Sequence, residues 1–379
     1  MRRILFAFAL AALCLTACKQ QPEPVDPHTL SGLDPADFVA EANGVETGLY
    51  TLTNSHGMEV CITNYGGRIV SIMVPGRDSV MRDVVLGFDN IHDYMTVPSD
   101  FGATIGRYAN RIAKGRFRLD KKEYVLPQNN NGHTLHGGPE GWQYKAFTVA
   151  DSSSNSLQLK YVSKDGEMGF PGEVTVHVFF TLTERNALVI DYLARTTAPT
   201  VINMTNHSYF NLSGDPTQPI TDHLMYLNAD KTTPVDEWLI PTGKIAKVAG
   251  TPFDFTKAKP IGQDIDADNV QIKYGRGYDH NWILNTEGNL KKVAARLICP
   301  KTGIELSILT SEPGIQVYTG NFLDGTVVGK DSTAYQCRTA VCLETQHYPD
   351  SPNKPQFPST VLRPGTRFES STVYRFDVF

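Results

Sequence analysis

Apolar residues at every second position, in runs repeated from about residue 45 to the C-terminus, restrict this chain more than any other feature. Val174, Val176, Val178, Phe180 and Leu182 form the longest such run, and residues 187–194 answer it across a turn at 184–186. Residues 50–53 and 58–62 flank Asn54-Ser55-His56-Gly57 and read as a hairpin. Residues 116–119 and 123–126 do the same around residues 120–122. Further strands are expected over 68–74, 157–161, from 201 onward, and over 282–284, 294–298, 305–309 and 372–378. Helical periodicity over three or more turns is nearly absent. Strands that are apolar on one face must bury sheet against sheet. The prediction is an all-β fold: a large antiparallel β-sandwich in a single domain, without internal repeats.

The N-terminus does not share this pattern. Arg2 and Arg3 precede an apolar run over residues 4–13, too short to span a bilayer. Leu15-Thr16-Ala17-Cys18 then resembles the lipobox of bacterial lipoproteins, in which the cysteine becomes the lipidated first residue. Residues 1–18 are therefore expected to be a lipoprotein signal ending at Cys18. Residues 19–35, with Pro22, Pro24, Pro27 and Pro35, are expected to be a stiff polar linker. The sandwich would occupy 36–379. On this reading the protein is exported and held at a membrane, periplasmic or on the outer membrane, by its lipid alone. Cys14 would leave with the signal. Cys61, Cys299, Cys337 and Cys342 fit no zinc spacing and are expected to be buried thiols.

Charge narrows the ligand. The 35 Lys and Arg are scattered and outnumbered by 40 Asp and Glu, for a net charge of −5. Nucleic acid calls for a concentrated basic surface, so an uncharged small molecule fits better. No Gly-x-Ser-x-Gly elbow is present, and no Walker-type phosphate loop. Gly275-Arg276-Gly277 lacks the third glycine and the following helix of a dinucleotide site.

Chemistry concentrates in polar, glycine- and aromatic-rich segments expected to be loops between strands: 106–111, 133–138, 206–211 and 277–282. To these the strand beginning at Val341 adds Glu344. Val341 and Leu343 face one way; Cys342, Glu344 and Gln346 face the other, before Pro349 and Pro352 end the ladder. A base held on a rigid strand beside a cleft can take a proton from a ligand. Singly, each residue has an ordinary explanation: Glu344 as a partly solvated strand carboxylate, His136 and His207 as hydrogen-bonded loop residues, Arg111 in a surface ion pair, Asp279 in a turn. Asp279 with Glu344 also supplies the two carboxylates of a glycosidase. His133, His136, His207 and Glu344 supply donors for a metal.

Together the segments resemble one family. Residues 106–117 (Gly-Arg-Tyr-Ala-Asn-Arg-Ile-Ala-Lys-Gly-Arg-Phe), 135–138 (Leu-His-Gly-Gly) and 205–212 (Thr-Asn-His-Ser-Tyr-Phe-Asn-Leu) look like the aldose 1-epimerases, or galactose mutarotases. So do 236–243, 251–255, 277–282 (Gly-Tyr-Asp-His-Asn-Trp), 314–325 and 344–353 (Glu-Thr-Gln-His-Tyr-Pro-Asp-Ser-Pro-Asn), in the family's order. The resemblance implies the family's supersandwich and an isomerase that interconverts the α and β anomers of glucose- or galactose-like aldoses without cofactor or metal. It places Glu344 on the general base and His207 on the general acid. It places Asn110, Arg111, His136, Asp279 and Gln316 on sugar-contacting positions, and gives Arg107 no contact. The chain departs from the pattern in a shortened segment, Pro139-Glu140-Gly141-Trp142-Gln143-Tyr144, which is expected to alter the cleft wall, and more mildly at Trp282 and Ser351. A non-catalytic sugar-binding lipoprotein of the same fold is the alternative. The preferred sugar and the oligomeric state stay open, with a monomer as the simplest expectation.

Overall fold

The computed structural model describes residues 28–379. Its largest element is a nine-stranded antiparallel sheet. In spatial order the strands are Thr148–Ser152, Ser156–Ser163, Val174–Leu182, Ala187–Thr196, Phe368–Val378, Ile304–Thr310, Ala295–Ile298, Leu224–Leu227 and Lys259–Pro260. Along Val174–Leu182 burial strictly alternates, with Val174, Val176, Val178, Phe180 and Leu182 inside. That is the alternation read from the sequence, now with its partner surface identified. A six-stranded sheet packs across this face: Tyr209–Phe210, Val341–Gln346, Gly314–Tyr318, Asp279–Ile283, Lys231–Thr232 and Ala246–Lys247. Val341, Leu343, Ile315 and Val317 join Val176, Phe180 and Tyr374 in one continuous core. A four-stranded sheet, Leu49–Thr53, Glu59–Thr63, Arg68–Pro75 and Met81–Asp83, extends it. The β-sandwich expectation holds, and the only α-helices among the described residues are Ile91–Thr96 and Val270–Gly275. No described helix is long and apolar enough to cross a membrane.

The structure corrects three local expectations. The folded unit begins before residue 36. Leu33 is buried, the Leu30 amide donates to Glu59 Oε1 (2.8 Å), and the Ser31 hydroxyl donates to the Ser71 hydroxyl (3.0 Å). Residues up to 27, with the expected signal, Cys18 and most of the linker, lie outside the described residues. Second, Cys61, Cys299 and Cys342 are buried thiols as expected, but Cys337 is exposed. Third, much of what was read as connecting loop is strand. Thr205–His207 pairs with Ala103–Ile105, Tyr209–Phe210 pairs with Val341–Gln346, and Asp279 opens the Asp279–Ile283 strand. These stretches are too polar to show alternation, because the face they turn outward forms the floor of a cavity instead of meeting bulk water.

The two faces of Val174–Leu182 make the packing testable. Phe180→Ala should lower the unfolding free energy by about 3–5 kcal/mol, the cost of a large cavity in a core. Phe179→Ala, on the half-buried outer face, should cost about 1 kcal/mol or less. Equilibrium urea unfolding measures both, and equal losses would contradict the assignment of faces.

Candidate active site

Strand register assembles the floor of the site. In the six-stranded sheet Glu344 stands opposite Gln316, and Gln316 opposite Asn281. The adjacent row runs Tyr209, Cys342, Tyr318, Asp279. Directly opposed residues share a face, so two rows of polar and aromatic side chains point away from the core. Val341 and Leu343 hold the other face in the core, and a one-residue slip would carry Glu344 into it.

The walls come from outside this sheet. His207 ends Thr205–His207, where it lies opposite Ala103. Its Nε2 is 3.5 Å from Glu344 Oε1. Its ring stacks on Tyr209, with centroids 5.1 Å apart, and meets His136 edge-on at 5.0 Å. His136 follows the short ladder that pairs Leu135 with Arg111. Its Nδ1 accepts the Asn110 amide (3.1 Å), which leaves Nε2 as the protonated nitrogen of the neutral ring. Burial drives its pKa down to about 3, so the ring is neutral. Gly137 allows this turn: its φ is +81°, and a Cβ there would lie 2.2 Å from the Gly106 carbonyl oxygen. The Asn110 Oδ1 accepts the Arg111 amide at 2.8 Å. The Arg111 guanidinium donates to Asn130 Oδ1 (3.2 Å) and lies 3.7 Å from Asp279 Oδ2. Asp279 Oδ1 in turn accepts from Gln316 Nε2 at 2.7 Å.

These groups enclose a cavity of about 330 Å³, within the range of small-molecule sites, which run from about 300 to 1,000 Å³. Asn110, Arg111, His136, His207, Asp279 and Glu344 all line it. Gln316 does not; it stands behind Asp279 and orients that carboxylate. The shortened segment over residues 139–144 is not part of the wall either. Trp142 is buried against Gly106 and Tyr161. Trp282 lies in the core, with its Nε1 donating to the Phe253 carbonyl (3.0 Å). Arg107 is also outside, its guanidinium donating to the Pro171 and Gly172 carbonyls. The four-donor metal set does not assemble: the His133 Nδ1 accepts the Lys114 amide (2.9 Å) away from the cavity. Among the described residues, the one group of three with ligand atoms within 4.8 Å of one another is Asp100, His136 and His207.

Sequence reasoning missed Asp100, Tyr209, Tyr318, Leu239 and Phe322 as lining residues. Tyr318 was within reach, since it lies two positions from Gln316 on the same strand face. Asp100 had no local signal: it follows Pro98-Ser99 in an irregular stretch.

Glu344 is only 1% exposed, and burial lifts its carboxyl pKa to about 7. His207 and Arg111 pull the other way, while Asp279 and Asp100 push it further up. Desolvation outweighs the neighbouring imidazole and leaves the group balanced near neutrality. Asp279→Asn removes one upward push and should therefore lower the Glu344 pKa. Titration of the carboxyl stretch by difference infrared spectroscopy, with Glu344→Gln to identify the band, checks the direction.

Comparison with known proteins points to one family. The family model described as Aldose 1-epimerase matches residues 48–375. The chain is 44% identical to galactose mutarotase of Rattus norvegicus over 324 residues, covering 86% of this chain and 92% of that protein. It is 38% identical to aldose 1-epimerase of Escherichia coli (strain K12) over 330 residues, 86% and 94% of the two chains. The crystal structure of a GalM/aldose epimerase homologue from C. elegans superimposes with a TM-score of 0.82 at 31% identity, covering 88% of this chain and 99% of that one. With the matched region spanning the sandwich and every strand of the cavity floor, the chain belongs to the aldose 1-epimerase family.

Proposed function

We propose that the cavity interconverts the α and β anomers of an aldohexose of the glucose or galactose class, with Glu344 as general base and His207 as general acid. The observation that carries this reading is the pair itself: a buried carboxylate and an imidazole 3.5 Å apart in one sugar-sized cavity. Mutarotation needs two proton transfers. The C1 hydroxyl loses a proton to Glu344 as the ring oxygen takes one from His207. The C1–O5 bond breaks, the free aldehyde forms, and C1 rotates about C1–C2. Attack of the C5 hydroxyl on the other carbonyl face, with both protons returned, yields the other anomer and the starting protonation states. No redox change occurs.

The surroundings support those roles. Glu344 Oε2 is enclosed and meets no protein donor, so it is available to the C1 hydroxyl. Tyr209 stacks against the His207 ring. Asp279, fixed by Gln316 and Arg111, and the neutral His136 with Asn110 offer acceptors and donors that orient sugar hydroxyls. Tyr209, Tyr318 and Phe322 give apolar surface for the C–H faces of a pyranose.

Two positioned proton carriers contribute on the order of 10²–10⁴-fold each. Polarimetry of freshly dissolved α-glucose and α-galactose tests this. Glu344→Gln and His207→Asn should each lose about 10²–10⁴-fold in kcat. A binding protein that only holds sugar would give no acceleration in the wild type. The Glu344 carboxyl at about 7 must be ionised to act, so kcat/KM should fall about tenfold per pH unit below that value. A rate flat from pH 5 to 8 would refute the base assignment.

We also propose that the enzyme is an exported lipoprotein anchored through Cys18 by acyl chains alone. The basic head, short apolar run and lipobox-like tetrapeptide support this. A Cys18→Ala form should leave the membrane fraction; retention there would contradict the anchor.

A further inference from the structure

Asp100 lies outside the eight sequence blocks that carry the family resemblance, yet it lines the same cavity as His136, His207 and Glu344. Its backbone holds it there. The Asp100 carbonyl accepts the Ala103 amide (3.0 Å), and Ala103 is the ladder partner of His207. A carboxylate oxygen of Asp100 comes within 4.8 Å of a ring nitrogen of both His136 and His207. Glu344 is not part of that group, although its Oε1 is 3.5 Å from His207. His207 is therefore close to both carboxylates.

The other carboxylates of the site already have work. Asp279 receives the Gln316 amide and faces Arg111, and Glu344 faces His207. Asp100 Oδ1 is enclosed and meets no donor from the protein. A buried acceptor of this kind favours a ligand that brings a hydroxyl to it and disfavours one that brings a second negative charge.

Ring chemistry indicates which part of the sugar that is. In a pyranose the ring oxygen is bonded to C1 and C5. With Glu344 at the C1 hydroxyl and His207 at the ring oxygen, the atom beyond the ring oxygen is C5. We infer that Asp100 is a specificity residue that meets the substituent on C5: it accepts a hydrogen bond from an exocyclic hydroxymethyl group and rejects a carboxylate or phosphate carried on C6. The substrate class is thereby uncharged aldohexoses, to the exclusion of uronic acids and 6-phosphosugars. The inference rests on the anomer-interconverting reading of the same cavity. Arg111, which lines the cavity, is engaged by Asp279 and Asn130, and Arg68 donates to the Ser99 and Phe101 carbonyls on either side of Asp100.

Anomer exchange measured by NMR for galactose and galacturonate, which differ only at C6, tests it on the full-length protein. Wild type should show kcat/KM for galacturonate about 10²-fold or more below that for galactose, since like charges brought together in a cavity cost several kcal/mol. Asp100→Asn keeps the shape and one acceptor but removes the charge, and should narrow that gap about tenfold or more. Asp279→Asn removes a carboxylate elsewhere in the cavity and should leave the gap near its wild-type value. Equal rates for the two sugars in wild type, an unchanged gap in Asp100→Asn, or equal relief by Asp279→Asn would each overturn the inference. Absence of acceleration for both sugars would instead overturn the anomer-interconverting reading on which it stands.

Discussion

A carboxylate buried in the middle of a strand is the constraint on which the rest of this molecule depends. Placing Glu344 at 1% exposure removes it from water, and a buried charge is tolerated only with compensating charge nearby. His207 at 3.5 Å and the more distant Arg111 supply that compensation in part. The incomplete balance leaves the proton affinity of the carboxyl near neutral pH, where a group can both take and return a proton.

Rigid backbone keeps that balance from relaxing. Glu344, Gln316 and Asp279 sit on three hydrogen-bonded strands of one sheet, so their spacing is set by the ladder and not by side-chain choice. His207 belongs to a separate pairing with Ala103–Ile105 and reaches the sheet from its flank. The proposed acid and base are thus carried by different strand pairs, joined through the hydrophobic packing between sheets. Gln316 contributes without lining the cavity: its amide fixes Asp279, which faces Arg111.

Much of this was legible before any coordinates, for a physical reason that also explains the failures. Where a strand has one face in an apolar core and the other near water, as in Val174–Leu182, burial alternates and the sequence records it. The Thr205–His207 and Asp279–Ile283 strands bury both faces. One of those faces meets a polar cavity, so they read as loop. The motif resemblance recovered Glu344, His207, Asn110, Arg111, His136 and Asp279 as cavity residues, but it could not separate the lining from the support behind it. Gln316, matched to a sugar contact, holds Asp279 through its amide, and residues 139–144 were read as wall when Trp142 in fact packs inward against Gly106.

By itself, then, the sequence determined the all-β class, the face to which each regular strand turns its side chains, and the family, since these follow from local periodicity and from contiguous motifs. Tertiary structure alone decided the position of Asp100 beside His136 and His207, the exposure of Cys337, and the titration of Glu344 near pH 7. Desolvation and charge proximity are sums over side chains far apart in the chain, and no local pattern encodes such a sum.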